Sequence, residues 1–104
     1  MSLIIKKPIE RNSIVTFRLI TGETLIARYE SRDDKNITIT KPVVANPVQN
    51  EQGYGIYYTP FCATVDEAEK FLIPLTSLIM EPMTPRKELA ESYVKMTTGL
   101  DIPL

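Results

Sequence analysis

The densest group of chemically capable side chains is the run "RDDKN", residues 32–36, with two carboxylates, two cations and one amide. Asp and Asn side chains bond nearby backbone and tolerate left-handed φ, so this run reads as a polar turn. It is either a solvated turn whose side chains only cap backbone groups, or a turn that shows them to a ligand. A second acidic run, "DEAE" at 66–69, places three carboxylates within four residues. It is expected to be an exposed acidic turn or short helical insertion, not a metal site. Lys6, Lys7 and Arg11 form a basic patch, read as a solvated face or as a contact for phosphate. "EQGYGIYY", residues 51–58, mixes glycine with three tyrosines. It is either a ligand-facing aromatic surface or a strand with core tyrosines. Cys62, between Phe61 and Ala63, is read as a small buried apolar residue.

The chain has no histidine and one cysteine. A Ser-His-Asp triad, a Cys-His pair and a His-ligated metal are therefore excluded by composition. A single thiol forms no disulfide within the chain, which favours a reducing compartment. The four glycines form no GxGxxG or Walker pattern. The expectation is a protein that is not an enzyme, with no cofactor and no metal. The apolar start "MSLII" is too short for a signal peptide, and no segment approaches the roughly 18 apolar residues of a membrane span. No membrane partner is expected, and a cytoplasmic location is. The 104 residues suit one domain, and 43% apolar with 24% charged residues is an ordinary globular composition. A formal net charge of −1 announces no global field for nucleic acid, although a locally basic rim can still bind it.

The elements that position these residues follow from periodicity. In "IVTFRLI", Val15, Phe17 and Leu19 alternate with Thr16 and Arg18, the pattern of a half-buried strand. Thr21-Gly22 breaks the run with a tight hairpin turn. In "ETLIARYES", Leu25, Ala27 and Tyr29 share one face, and Ile26, Arg28 and Glu30 the other. "NITITKPVVANPV" reads as a third strand that bends, or runs along an edge, at Pro42 and Pro47. "QNEQGYG" reads as a loop and "IYYTPFCATV" as a fourth strand. "KFLIPL" and "SLIMEPM" are extended apolar pieces joined at Thr76. Thr84 can cap a helix with Pro85 at its first position, Leu89, Tyr93, Met96 and Leu100 recur at helical spacing, and Gly99 ends it. The fold class is mainly β: a small, strongly bent five-stranded antiparallel barrel of OB or SH3 type over about 12–83, with a C-terminal helix over about 85–98, in a single domain 1–104.

The stretch "FRLITGETLIARYESRDDKNITI", 17–39, resembles the first signature motif of the Sm-like (LSm, Hfq-containing) family. The matching positions are Val15, Phe17, Gly22, Leu25, Tyr29, Asp33 and Asn36, continuing into Ile37 and Ile39. "LIPLTSLI", 72–79, corresponds to the second motif. The resemblance covers about 65 residues. The chain departs from the family in five ways: Ala27 stands at the second glycine, Asn36 lies three rather than four residues after the Asp, Pro74-Leu75 replaces Arg-Gly, the helix is C-terminal, and the segment between the third strand and the second motif is long. It looks like a divergent member of the kind encoded by bacteriophages, including cyanophages.

The resemblance implies a homo-oligomeric ring of five to seven subunits, in which the fourth strand of one subunit pairs with the fifth of the next. "KFLIPL" and "SLIMEPM" would supply those edges; otherwise they are core strands of a monomer. It also implies single-stranded RNA at the pore, with Asp33 ordering the loop, Asn36 bonding a base edge and Lys35 reaching phosphate. The functional expectation is thus a non-enzymatic ring-forming Sm-like protein that binds RNA. The alternative is an assembly ring that holds protein partners and has lost RNA binding along with the Arg-Gly pair.

Overall fold

The computed structural model describes residues 9–66 and 69–98. Glu67 and Ala68 of the acidic run, Lys6 and Lys7, and the helix-ending Gly99 and Leu100 lie outside these residues. The described chain runs β1 (Ile14–Arg18), β2 (Thr24–Arg32), β3 (Asn36–Asn50), β4 (Gly53–Pro60), β5 (Lys70–Pro74), a 3₁₀ turn (Leu75–Ser77) and α1 (Lys87–Thr98). The protein is mainly β, with one five-stranded antiparallel sheet and a C-terminal helix.

β1 and β2 form a hairpin with Phe17 opposite Leu25. Its turn contains Gly22 at φ 106°, a conformation a β-carbon would strain. The inward face is Val15, Phe17, Leu19, Leu25, Ala27, Tyr29, Ile37, Ile39 and Ile73, all buried in one cluster. Alternation along β1 and β2 places these side chains on one side of the pleat. Removing each large one from water stabilises the fold by roughly 1.5–3 kcal/mol.

β3 is the organising strand. Its register against β2 jumps from Ile26–Val43 to Arg28–Thr40, so β3 carries one extra residue there. The bulge falls at Lys41-Pro42, with Lys41 at φ 51°. Pro42 has no N–H to lose from the ladder, and a bulge bends its strand and increases the twist. Before the bend β3 pairs with β5, and after it with β4. β4 and β5 therefore lie end to end along the same side of β3.

Three sequence expectations change. "QNEQGYG" is not a loop: β3 runs to Asn50 and β4 starts at Gly53, leaving a two-residue turn, with Gly53 at φ 116°. β4 ends at Pro60, so "FCATV" is irregular chain rather than strand. Ile26, assigned to the outer face of β2, is only 1% exposed, because α1 covers that face. Ile26, Ala45 and Tyr93 form a second buried cluster, with Ile14, Val43, Tyr58, Leu89 and Val94 packed around it.

α1 starts at Lys87, two residues later than the Thr84-Pro85 signal, and Arg86 O accepts from the N–H groups of Leu89 and Ala90. Tyr93 faces the sheet and Met96 remains 42% exposed. The Tyr93 hydroxyl donates to Lys41 O at 2.5 Å, and Lys41 Nζ donates to Thr97 O at 3.4 Å. Lys41 thus ties the bend of β3 to the helix, with its cation at the negative C-terminal end of the helix dipole.

The segment 78–83 closes the other side of the sheet. Bridges join Leu19 to Leu78 and Thr16 to Met83. Thr16 and Met83 exchange two backbone hydrogen bonds, of 2.8 and 2.9 Å. The 3₁₀ turn interrupts "KFLIPLTSLIM" around Thr76, so β5 and 78–83 belong to opposite ends of the sheet. A connection this short curls those two ends toward one another, which makes the sheet barrel-like.

Candidate nucleic-acid loop and subunit edges

Asp33 organises the β2–β3 turn. Its Oδ1 accepts the backbone N–H groups of Lys35 and Asn36, each at 2.7 Å. Asp33 N in turn donates to Asn36 O at 3.0 Å. The Lys35 and Asn36 amides hold the Asp33 carboxyl below the usual aspartate range. Asp33 and Lys35 are exposed and Asn36 is half-buried at the start of β3.

The turn does not stand alone. Leu75 N donates to Lys35 O at 2.8 Å, so the 3₁₀ turn sits directly against it. Ile20 N donates to Ser77 O at 2.8 Å, bringing the end of the β1–β2 hairpin to the same place. Asp33, Lys35 and Asn36 are therefore gathered with Leu75, Thr76 and Ser77, more than thirty residues away in sequence. This site has a cation, an amide and hydroxyls, but Leu75 meets it only through its backbone N–H, its side chain packing on the first core cluster, so no second cation strengthens an anion site there. Arg32 points its charge elsewhere, making paired hydrogen bonds of 3.0 and 3.1 Å to Glu81. That pair ties the end of β2 to segment 78–83.

Arg11 of the basic patch is also engaged. Arg11 Nε and Lys70 Nζ each lie 3.2 Å from the Glu30 carboxylate. Their hydrogen bonds, Arg11's first, lower the Glu30 pKa. A lowered folded-state value means the contribution is complete above the ordinary glutamate pKa and is lost as pH falls through the folded one. Glu30→Gln should therefore flatten the acid side of the stability profile while leaving it little changed in slope at neutral pH. Urea unfolding followed by circular dichroism between pH 3 and 7 checks this; an unaltered acid limb would show that Glu30 is uncoupled from folding.

The two ends of the sheet have no strand beyond them among the described residues. On one end lie β5 and β4, and on the other 78–83. Both carry large apolar side chains outward: Leu72 is 62% exposed, Ile79 59% and Met83 57%. The exposed apolar set on the β3–β4 hairpin, Val48, Tyr54, Ile56 and Tyr57, was legible only in part. Its signal was the tyrosine-rich run, whose alternatives were a core strand or an aromatic surface. Tyr58 packs with the second cluster, whereas Tyr54 and Tyr57 are surface residues. Cys62 is half-buried, with its Sγ 3.4 Å from Thr64 Oγ1.

Among the described residues no three or more His, Cys, Asp or Glu side chains come together. No described helix is long and apolar enough to cross a membrane. No family model and no curated protein matches the chain.

Proposed function

We propose that this chain is a non-enzymatic, ring-forming protein of the Sm-like type. The observation that carries the reading is the pair of open sheet edges, β5 and 78–83, each with an outward large apolar residue. Unpaired edges of a small sheet are a template for further pairing, and here charge and proline stand only at Lys70 and Pro74 of β5 and at Glu81 and Pro82 of 78–83, leaving the apolar side chains between them. A head-to-tail contact between two different edges generates a closed ring when its rotation closes. Pairing β5 of one copy with 78–83 of the next uses both edges and buries Leu72, Ile79 and Met83. The family resemblance of the first half of the chain points the same way. Native mass spectrometry on protein purified without nuclease treatment tests it: a single multiple of the 11.8 kDa chain is expected, and a monomer at all concentrations overturns the reading.

The ring presents the Asp33–Asn36 turn and its neighbour, the 3₁₀ turn, as the place for single-stranded RNA. Asp33 fixes the backbone, Asn36 offers an amide to a base edge and Lys35 a cation to phosphate. Asn36→Ala with Lys35→Ala should abolish RNA retention in filter binding while the ring mass stays unchanged. Unchanged RNA affinity would remove the site from this turn.

A second reading, an assembly ring for protein partners, is favoured by one observation. Residues 75–77 bring no cation to Lys35, since Leu75 meets it only through its backbone N–H and turns its side chain to the core, and Arg32 is committed to Glu81. A clean ring that carries no mass removable by ribonuclease selects this reading.

A further inference from the structure

We propose that the β3–β4 hairpin is the second half of the subunit contact, lying against residues 78–90 of a second copy. The proposal rests on the ring reading above and adds to it a surface outside the edge pair. Its basis is the geometry of β3. β4 and β5 both run antiparallel to β3 and on its same side, in line, with β4 first. A strand that pairs with β5 antiparallel, as all pairs of this sheet do, begins near Pro74 and proceeds toward Lys70. If that strand is 78–83 of a second copy, the chain that follows Met83 is carried toward β4. The outer edge of β4 is thus continuous with the contact already required.

Size points the same way. A stable interface takes roughly 20–30 residues from each side. β5 has five residues, too few alone. The hairpin supplies the remainder, and it carries exposed apolar side chains on both faces. Tyr54 and Ile56 extend the face that α1 covers at Ala45 and Tyr58. Val48 and Tyr57 extend the opposite face, in line with Val44. Tyr54 is 81% exposed in the single chain and Tyr57 54%.

Charge decides the class of occupant. Residues 52–60 contain no Lys, Arg, Asp or Glu, and the only charged side chain from 46 to 60 is Glu51. A strand edge without charge lacks one of the usual protections against pairing, and its prolines stand only at Pro47 and at the end of β4, Pro60. It has no cation to hold phosphate, which disfavours nucleic acid. It carries no charge beyond Glu51 to repel the mixed charges of residues 78–90, Glu81, Arg86, Lys87 and Glu88.

The test combines a paired substitution with a cross-link. Ile56→Glu with Tyr57→Glu alters surface residues only and should raise the concentration at half-assembly at least tenfold in sedimentation velocity. A photo-reactive phenylalanine at position 57 should give inter-subunit adducts on peptides covering 78–90. Assembly unchanged by the paired substitution overturns the proposal, and so does an assembled protein with no inter-subunit adduct from position 57. In either case a ring of the wild-type chain leaves the ring reading standing, with the hairpin free for a different protein. A monomeric wild-type chain overturns both.

Discussion

Replacing Tyr93 by alanine is expected to release α1 from the sheet and lower stability by about 3–5 kcal/mol. Tyr93 is 0% exposed and is the only α1 residue fully buried among those described. Its ring fills the cluster built on Ile26 and Ala45, and its hydroxyl satisfies Lys41 O at the β3 bend. Truncation removes the ring, leaves a cavity and strands a carbonyl beside a residue already held at positive φ. Tyr93→Phe keeps the ring and should cost only about 1 kcal/mol. Desolvation raises the Tyr93 pKa well above the ordinary tyrosine value. The buried hydroxyl therefore stays protonated and remains a donor. Its contribution is complete below the unfolded tyrosine pKa, about 10, and declines as pH rises beyond it. Tyr93→Phe should remove that alkaline decline. With no tryptophan in the chain, urea unfolding followed by circular dichroism is the measurement. A loss of under 1 kcal/mol for Tyr93→Ala would mean that the helix does not depend on this anchor.

The second large effect concerns assembly rather than folding. If the chain assembles into the proposed ring, Leu72→Glu and Ile79→Glu should each convert it to monomers, raising the assembly concentration by about a hundredfold or more. Both side chains are surface residues of the single chain, so the monomer should fold with a change within about 0.5 kcal/mol. In the proposed ring each glutamate would be buried without a partner, which costs several kcal/mol per contact. A tenfold change in an association constant corresponds to about 1.4 kcal/mol, so even partial burial reaches two orders of magnitude. Native mass spectrometry with thermal unfolding separates the two effects. Rings that persist in both variants would place the subunit contact elsewhere.

These predictions draw unequally on the sequence. Leu72 and Ile79 stand in the two apolar pieces expected at the edges, and the break between them at Thr76 was legible too. Tyr93 lay on the helical stripe, but the face it would meet did not. Alternation assigned Ile26 to the outer side of β2 together with Arg28 and Glu30. Periodicity divides a strand into two faces without saying whether something covers the second one. Here the helix does, so the same strand is buried on both sides at Ile26 and on one side at Arg28.

The hairpin shows the same limit at longer range. Gly53 and Gly55 made residues 49–55 look like a loop, because glycine is locally permissive of turns. Pairing across the strands overrides that: Val48 faces Gly55 and Gln49 faces Tyr54, which shortens the turn to two residues. Whether a glycine-rich stretch pairs depends on what its partner offers, and that partner is set by the bend at Lys41-Pro42. Pro42 marked the bend in the sequence, whereas Pro47 pairs with Ile56 in unbroken register, and neither showed that β3 would change partners at the bend.

Features that arise from neighbours along the chain were readable from the order of residues alone. These are the β1–β2 hairpin with its Gly22 turn, the polar turn headed by Asp33, and the amphipathic C-terminal helix. Each depends on contacts a few residues apart, which local side-chain chemistry and spacing specify. What those features meet was set by the folded chain. It brought the 3₁₀ turn against Lys35, set Glu30 between Arg11 and Lys70, laid Tyr93 over Ile26, and left β5 and 78–83 as open edges. Those outcomes come from long-range strand register, in which a one-residue bulge redirects every side chain beyond it.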